Sequence, residues 1–298
     1  MTEIGRVLTA MATPFDGEGG LDLRQTEKLT RALLDSGSDG LVVSGTTGES
    51  PTLSEKEKWQ LFAAVKRAAG GRGAVIAGTG SYNTAESIKL TQEAEQIGVD
   101  GILLVVPYYN KPAQEGMYRH FEAIARATRL PVILYNVPSR TGINMTADTT
   151  IRLSRIPNIA GIKEASGDLV QISRIIENTR DDFHVWSGND EDTLPVLAIG
   201  GYGVVSVASH LVGSQIQQMV QAFLEGDRER AAALHRRMLP LIKALFLVGN
   251  PVPLKYALNH VGFSVGAPRL PLCEPDEDVA EQIRRELART RVDLAVAV

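Results

Sequence analysis

Apolar residues along this chain gather in two alternating patterns. Short, nearly continuous and largely β-branched runs occupy residues 7–12, 40–44, 73–78, 101–106, 131–135, 159–162, 183–186 and 204–207. Each has the length of a strand buried on both faces, as in a parallel sheet covered by helices. Between and after these runs lie longer segments with apolar residues at helical spacing: 22–36, 54–69, 84–97, 114–128, 146–156, 167–178, 191–199 and 213–224. Leu23, Leu29, Leu33 and Leu34 form the stripe in the first, and Leu61, Phe62 and Val65 in the second. Ser54, with Glu57 three residues on, predicts a capping box at the start of the second helix. Eight strand–helix units in succession predict an α/β fold of the (β/α)8 TIM-barrel type. The competing architecture is a doubly wound open sheet, but its glycine signature is incomplete. Gly78-Thr79-Gly80 is followed by Asn83 where the third glycine belongs, and no Walker-type Gly-Lys-Ser/Thr occurs.

Past the eighth unit the pattern becomes helical throughout, over 228–248, 253–260 and 276–289. Pro251 and Pro253 punctuate the first break, and Pro268, Pro271 and Pro275 the second. The expected organisation is a barrel over 1–226 and a small C-terminal helical region over 227–298. The apolar tail 294–298 is expected either to fray or to join a subunit contact.

Composition narrows the function classes. The chain has 298 residues, 44% hydrophobic and 22% charged, enough for a large core. A net charge of −4 gives no reason to expect nucleic acid or an anionic membrane as partner. The single cysteine, Cys273, can form no intrachain disulfide, which fits a reducing compartment. Glu3 and Arg6 stand where a signal peptide would need its apolar stretch, and no run is long enough to span a bilayer. A cytoplasmic protein is expected.

Barrels of this kind carry their chemistry at the C-terminal ends of the strands. Those ends read Gly45-Thr46-Thr47-Gly48-Glu49, Pro107-Tyr108-Tyr109-Asn110, Tyr135-Asn136-Val137-Pro138-Ser139-Arg140-Thr141-Gly142, Lys163-Glu164, Ser187-Gly188-Asn189 and Ser206. Hydroxyls dominate, with one lysine and one arginine. Lys163 directly follows the apolar Ile159-Ala160-Gly161-Ile162. It is either a strand-end lysine that reaches solvent or pairs with Glu164, or a nucleophile. An amine must be neutral to attack a carbonyl, and burial lowers its ordinary pKa of about 10.4. Tyr135, at the end of the preceding strand, is either a core tyrosine or a proton shuttle. Thr46 and Thr47 form either a plain turn or a hydroxyl relay, which Tyr109 can complete. Arg140 is either solvated or a bidentate carboxylate ligand. Gly188 is a candidate substrate contact at the end of the seventh strand. Asp190, Glu191 and Asp192 stand where barrels often bind phosphate, and three acids would repel it. The five histidines show no metal-ligand spacing, although ligands converging from distant strands remain open. No cofactor and no metal are expected.

Gly45-Thr46-Thr47-Gly48-Glu49-Ser50, Pro107-Tyr108-Tyr109-Asn110, Tyr135 to Gly142 and Gly161-Ile162-Lys163-Glu164 occur in this order. With them the whole chain resembles the dihydrodipicolinate synthase / N-acetylneuraminate lyase family of pyruvate-dependent class I aldolases. The resemblance implies that Lys163 forms the imine with pyruvate and that Tyr135 transfers protons beside it. It implies that Thr47 links two tyrosines in a relay, and that Tyr109 reaches across a tight dimer interface into the neighbouring site. Thr46 and the Thr47 amide would hold the pyruvate carboxylate, Val205 would line the pocket, and Arg140 would hold the carboxylate of L-aspartate 4-semialdehyde. The imine acts as the electron sink, so no cofactor is required. Homotetramers built from tight dimers, or dimers, are implied.

Lysine-inhibited relatives bind lysine near the positions of Ser50, Glu55, Lys58, Tyr82, Glu86 and Tyr108. They tend to carry histidine where this chain has Glu55 and Lys58, and asparagine where it has Tyr82, so weak or absent lysine feedback is expected here. The rival activities are N-acetylneuraminate lyase or a 2-keto-3-deoxy sugar acid aldolase. The paired threonines and Arg140 favour the semialdehyde over both. A silent barrel that senses keto acids, or a scaffold barrel, fits the strands but not the clustered Tyr, Thr, Arg and Lys.

Overall fold

The apolar runs become strands because each sits between two buried faces. In a computed structural model, which describes residues 4–295, they form β1 (Val7–Ala10), β2 (Gly40–Val43), β3 (Ala74–Gly78), β4 (Gly101–Val105), β5 (Val132–Asn136), β6 (Ile159–Glu164), β7 (His184–Ser187) and β8 (Gly203–Ser206). They pair in chain order, all parallel, and β8 returns to β1 to close a barrel. Val75, Ile76, Ile102, Leu104, Ile133, Leu134 and Ile162 are fully buried. Each such side chain contributes roughly 1.5–3 kcal/mol by leaving water. Of the terminal segments read from sequence, Glu3 and residues 296–298 lie outside the described residues. Leu294 is described and buried.

The helices of the outer ring are α1 (Leu23–Asp35), α2 (Glu55–Ala69), α3 (Thr84–Ile97), α4 (Gln114–Arg126), α5 (Pro138–Thr141), α6 (Ala147–Leu153), α7 (Leu169–Asn178), α8 (Thr193–Ala198) and α9 (Ser209–Leu224). After them come α10 (Arg228–Ala244), α11 (Val252–His260) and α12 (Glu277–Arg289). The capping box at α2 is present: Ser54 accepts from the Glu57 amide, and the Glu57 carboxylate accepts from the Ser54 amide.

Three elements differ from the pattern, each for a local reason. α9 starts at Ser209 instead of 213, because its first turn is buried on all sides and so shows no helical alternation. The segment 191–199 splits into a 3-10 turn, Asp190–Asp192, and α8. Here the Asp190 carboxylate accepts the amides of Val207 and Ala208, at 2.9 and 3.2 Å, which ties this turn to the end of β8. The four-residue α5 is too short to show periodicity, and Pro138 at its first position sets its start. Arg140 rides on it.

Candidate active site

Strand register brings the first two site residues together. Tyr135 of β5 and Lys163 of β6 are direct neighbours in the ladder. Both are buried, and the Lys163 Nζ lies 4.3 Å from the centre of the Tyr135 ring. The next pair, Asn136 and Glu164, turns to the opposite face by the two-residue period of a strand. There Asn136 Nδ2 donates to both Glu164 carboxylate oxygens at 3.0 and 3.1 Å. The Ser166 amide donates to the same carboxylate at 2.8 Å. Burial pushes the Glu164 carboxyl upward, against those hydrogen bonds. The Lys163–Glu164 pairing considered from sequence is therefore not formed. Asp190 lies closer in electrostatic effect. Burial raises its carboxyl, while its hydrogen bonds to Ser206, Val207 and Ala208 and the charge of Lys163 act the other way.

Gly188 makes room for the lysine. A Cβ at this position would stand 2.6 Å from the Ala165 Cβ and 3.2 Å from the Lys163 Cε. Gly78 and Gly80 have a similar packing origin, since a Cβ at Gly78 would lie 2.4 Å from the Ser44 carbonyl oxygen. The partial Gly-x-Gly pattern thus serves close approach of neighbouring strands.

The turn after β2 supplies the hydroxyls. Thr47 is buried and Thr46 half-buried. The turn is held from several sides: Thr13 Oγ1 donates to the Gly48 carbonyl at 2.7 Å, and Glu49 sits at φ 54°. Thr46, Thr47, Tyr135, Arg140, Lys163 and Gly188 all line one cavity of about 120 Å³. A second cavity of about 230 Å³ adjoins it, and Gly45, Thr46, Leu103, Tyr135, Val137 and Arg140 border both. The cleft is concave, mostly apolar and carries a few convergent polar groups, as small-molecule sites do. Arg140 has no carboxylate partner among the described residues, so its guanidinium is available to an anionic ligand.

Two sequence candidates fall elsewhere. Val205 is buried but lines neither cavity. Val207, two residues on and just past the strand end, lines the smaller one. The rule that barrel sites gather at strand ends pointed to that rung. Tyr109 lines neither cavity of its own chain: it is 89% exposed, at φ 68°. Its neighbour Tyr108 lines the larger cavity beside Ser50, and its ring meets Tyr82 edge-on at 5.1 Å.

Sequence reasoning missed Phe246 and Asn250, which border the smaller cavity from the loop between α10 and α11. It also missed Lys255 of α11, whose Nζ makes a fully buried ion pair with Glu49 at 2.7 Å. Only the neighbouring prolines marked this loop as special. No cluster of three or more side chains able to hold a metal occurs among the described residues, and no described helix is long and apolar enough to cross a membrane.

A partly enclosed lysine beside a tyrosine, at the strand ends of a closed (β/α)8 barrel, is the arrangement that an aldolase working through a lysine imine requires. Comparison with known proteins narrows this class. Residues 3–290 match the model of the dihydrodipicolinate synthetase family. The chain belongs to that family. A 4-hydroxy-tetrahydrodipicolinate synthase of Dehalococcoides mccartyi (strain CBDB1) is 61% identical over 296 residues, covering 99% of this chain and 100% of the relative. The crystal structure of a dihydrodipicolinate synthase from Bacillus anthracis superposes with a TM-score of 0.95 at 48% identity, covering 97% of this chain and 99% of that one. A dihydrodipicolinate synthase from Cyanidioschyzon merolae, solved with lysine bound, also gives 0.95 at 48% identity, with 96% and 98% covered.

Proposed function

We propose that this enzyme, a lyase of lysine and diaminopimelate biosynthesis, condenses pyruvate with L-aspartate 4-semialdehyde to give 4-hydroxy-tetrahydrodipicolinate. The observation that carries the reading is Lys163, held against Tyr135 in a cavity that also presents Thr46, Thr47 and Arg140. The full-length likeness to synthases of this reaction supports it.

The Lys163 amine attacks the pyruvate ketone and water leaves, forming an imine. Loss of a C3 proton gives the enamine, with the protonated imine as electron sink. The enamine carbon attacks the semialdehyde's aldehyde. The substrate's own amine then displaces Lys163 and closes the ring. Tyr135, beside the amine, exchanges protons with the carbinolamine and the imine. Thr46 and the Thr47 amide hold the pyruvate carboxylate, Gly188 leaves space at the lysine, and Arg140 takes the carboxylate of the semialdehyde. Thr47 passes protons between Tyr135 and a second tyrosine, Tyr109 of a neighbouring subunit. The exposure of Tyr109 away from its own cavity supports that last role and with it a homo-oligomer, a dimer or a tetramer of two tight dimers. The single cysteine supports a cytoplasmic location.

Pyruvate followed by borohydride should leave an irreversible mass increase on the peptide containing Lys163. Folded protein with no adduct refutes the imine. Steady-state rates on aspartate semialdehyde should exceed those on sialic acid and keto-deoxy sugar acids, and the reverse order assigns a different second substrate. Light scattering during size-exclusion chromatography tests the oligomer, and a monomer with full activity removes Tyr109 from the relay.

Lysine feedback is expected to be weak. Glu55 is engaged with Lys89 at 2.6 Å, Lys58 adds a positive charge near Glu86 and Glu55, and Tyr82 occupies space beside Tyr108. Strong inhibition at sub-millimolar lysine would contradict this.

A further inference from the structure

Asn189 borders the cavity of Lys163, next to Gly188, and is half-buried. It stands immediately before the 3-10 turn Asp190–Asp192. An asparagine in that place commonly accepts an amide of the turn with its side-chain oxygen. This one makes no such cap. Its Nδ2 donates instead to Asp192 Oδ2 at 2.8 Å. A carboxylate can only accept, so the partner fixes which way the amide group faces: Nδ2 toward Asp192, Oδ1 away from it.

The backbone of Asn189 is held as well. Its amide donates to Ser187 Oγ at 3.3 Å, and that hydroxyl donates to the Asn189 carbonyl at 2.7 Å. The Asp192 amide donates to the same carbonyl at 3.2 Å. Asn189 Oδ1 is left without a hydrogen bond among the described residues.

The amino aldehyde of the proposed condensation has three functional groups. Arg140 answers its carboxylate, and the enamine carbon takes its aldehyde. The amine is the third, and it must reach the imine carbon on Lys163 to displace the lysine. A group that holds it belongs on the cavity wall beside that lysine. Asn189 is one residue past Gly188, where a Cβ would stand 3.2 Å from the Lys163 Cε. An amide oxygen accepts from an ammonium and from a neutral amine alike. It keeps the group in place while the proton is lost, as nucleophilic attack requires. Asp190, Glu191 and Asp192 follow directly and favour positive charge at this end of the cavity. Charge alone would not place a ligand; the fixed asparagine does. We propose that Asn189 binds the α-amine of the second substrate through Oδ1, with Asp192 as the residue that orients its side chain. This rests on the reading of L-aspartate 4-semialdehyde as that substrate.

The test compares two aldehydes: aspartate semialdehyde, and succinic semialdehyde, which has hydrogen in place of the amine. Asn189→Leu keeps the size of the side chain and removes the acceptor. It should raise the KM for aspartate semialdehyde by about tenfold to a hundredfold, the range of a lost hydrogen bond to a charged group. The inhibition constant of succinic semialdehyde against the pyruvate-loaded enzyme, and the pyruvate KM, should each change by less than about twofold. Asn189→Asp combined with Asp192→Asn reverses donor and acceptor across the same contact and keeps an acceptor beside the amine. This exchange should bring the KM back to within about threefold of the unmodified enzyme. Borohydride trapping of pyruvate at Lys163 needs no second substrate, so it shows that each variant is folded with a working lysine. Should Asn189→Leu lose trapping, Asn189→Ala carries the same comparison.

A role in shape alone weakens both aldehydes together. Equal loss toward both, no loss toward either, or an exchanged pair no better than Asn189→Leu would overturn the proposal. If the unmodified enzyme prefers another aldehyde to aspartate semialdehyde, the substrate reading fails. If it prefers aspartate semialdehyde and the two aldehydes respond alike to Asn189→Leu, only the role of Asn189 fails.

Discussion

Lys163 and Lys255 are both buried, and both hold their Nζ over an aromatic ring, at 4.3 Å from the Tyr135 centroid and 4.1 Å from the Phe15 centroid. They differ in what else they touch. Lys255 is closed in by Glu49 at 2.7 Å and by a backbone carbonyl, and Arg269 covers the other carboxylate oxygen through its amide at 2.8 Å. Lys163 has no hydrogen bond or ion pair among the described residues, and it borders a cavity. Burial alone therefore does not mark a reactive amine. A buried lysine whose charge is answered by a carboxylate is a structural tie. One that faces empty space and a phenol is available for chemistry.

The largest expected effect separates the two directly. Lys163→Ala should abolish condensation, by on the order of 10⁴-fold or more, because no other amine can form the imine. Its thermal midpoint should fall far less than that of a lysine taken from a direct ion pair, since no hydrogen-bonded partner among the described residues is left behind. Lys255→Met should do the converse. Removing one member of a buried pair costs roughly 3–5 kcal/mol, because Glu49 is stranded. Denaturant melts should show this loss, while the folded fraction still traps pyruvate at Lys163. Adding Glu49→Leu should return much of the stability; if it does not, the pair is not what ties α11 to the turn.

A third, unpaired cation sharpens the contrast. Arg140→Ala should raise the KM for aspartate semialdehyde by about tenfold to a hundredfold, matching the roughly 1.5–3 kcal/mol of hydrogen bonds to a charged group. The pyruvate KM should change little. An equal rise for both substrates would place Arg140 on the wrong one.

The smallest effect concerns the edge of the Lys255 cluster. Arg269 lies over the same Phe15 ring and hydrogen-bonds Glu57, which together with Ser54 holds that carboxyl at about 2 instead of its ordinary 4.5. As pH falls, the unfolded chain takes up this proton first. The stabilisation is therefore full above about 4.5 and is lost as pH drops toward about 2. Urea melts across this window should show Arg269→Ala less stable at pH 7 by about 1 kcal/mol, since the pair is partly solvated, with the difference fading at acid pH.

The barrel was legible in the order of residues because a parallel strand covered on both faces leaves a signature in every one of its positions. The family followed from long motifs kept in the right order, which the match over residues 3–290 bears out. Lys163, Tyr135, Thr46, Thr47, Arg140 and Gly188 were named because strand ends are where such folds do chemistry, and the structure places all six around one cavity. Local pattern has no means of naming partners across the chain. The Asn250–Thr47 bond spans 203 residues and the Lys255–Glu49 pair 206, and neither side announces the other. Lys255 looked like any helix lysine, because its burial depends on α11 lying over the β2 turn. Val207, and not Val205, reached the cavity because the depth of a rung depends on barrel closure. The surroundings of Lys163 were decided in the same way: the alternation of β6 sends Glu164 to Asn136 and away from the amine, and Gly188 past the end of β7 leaves space beside it.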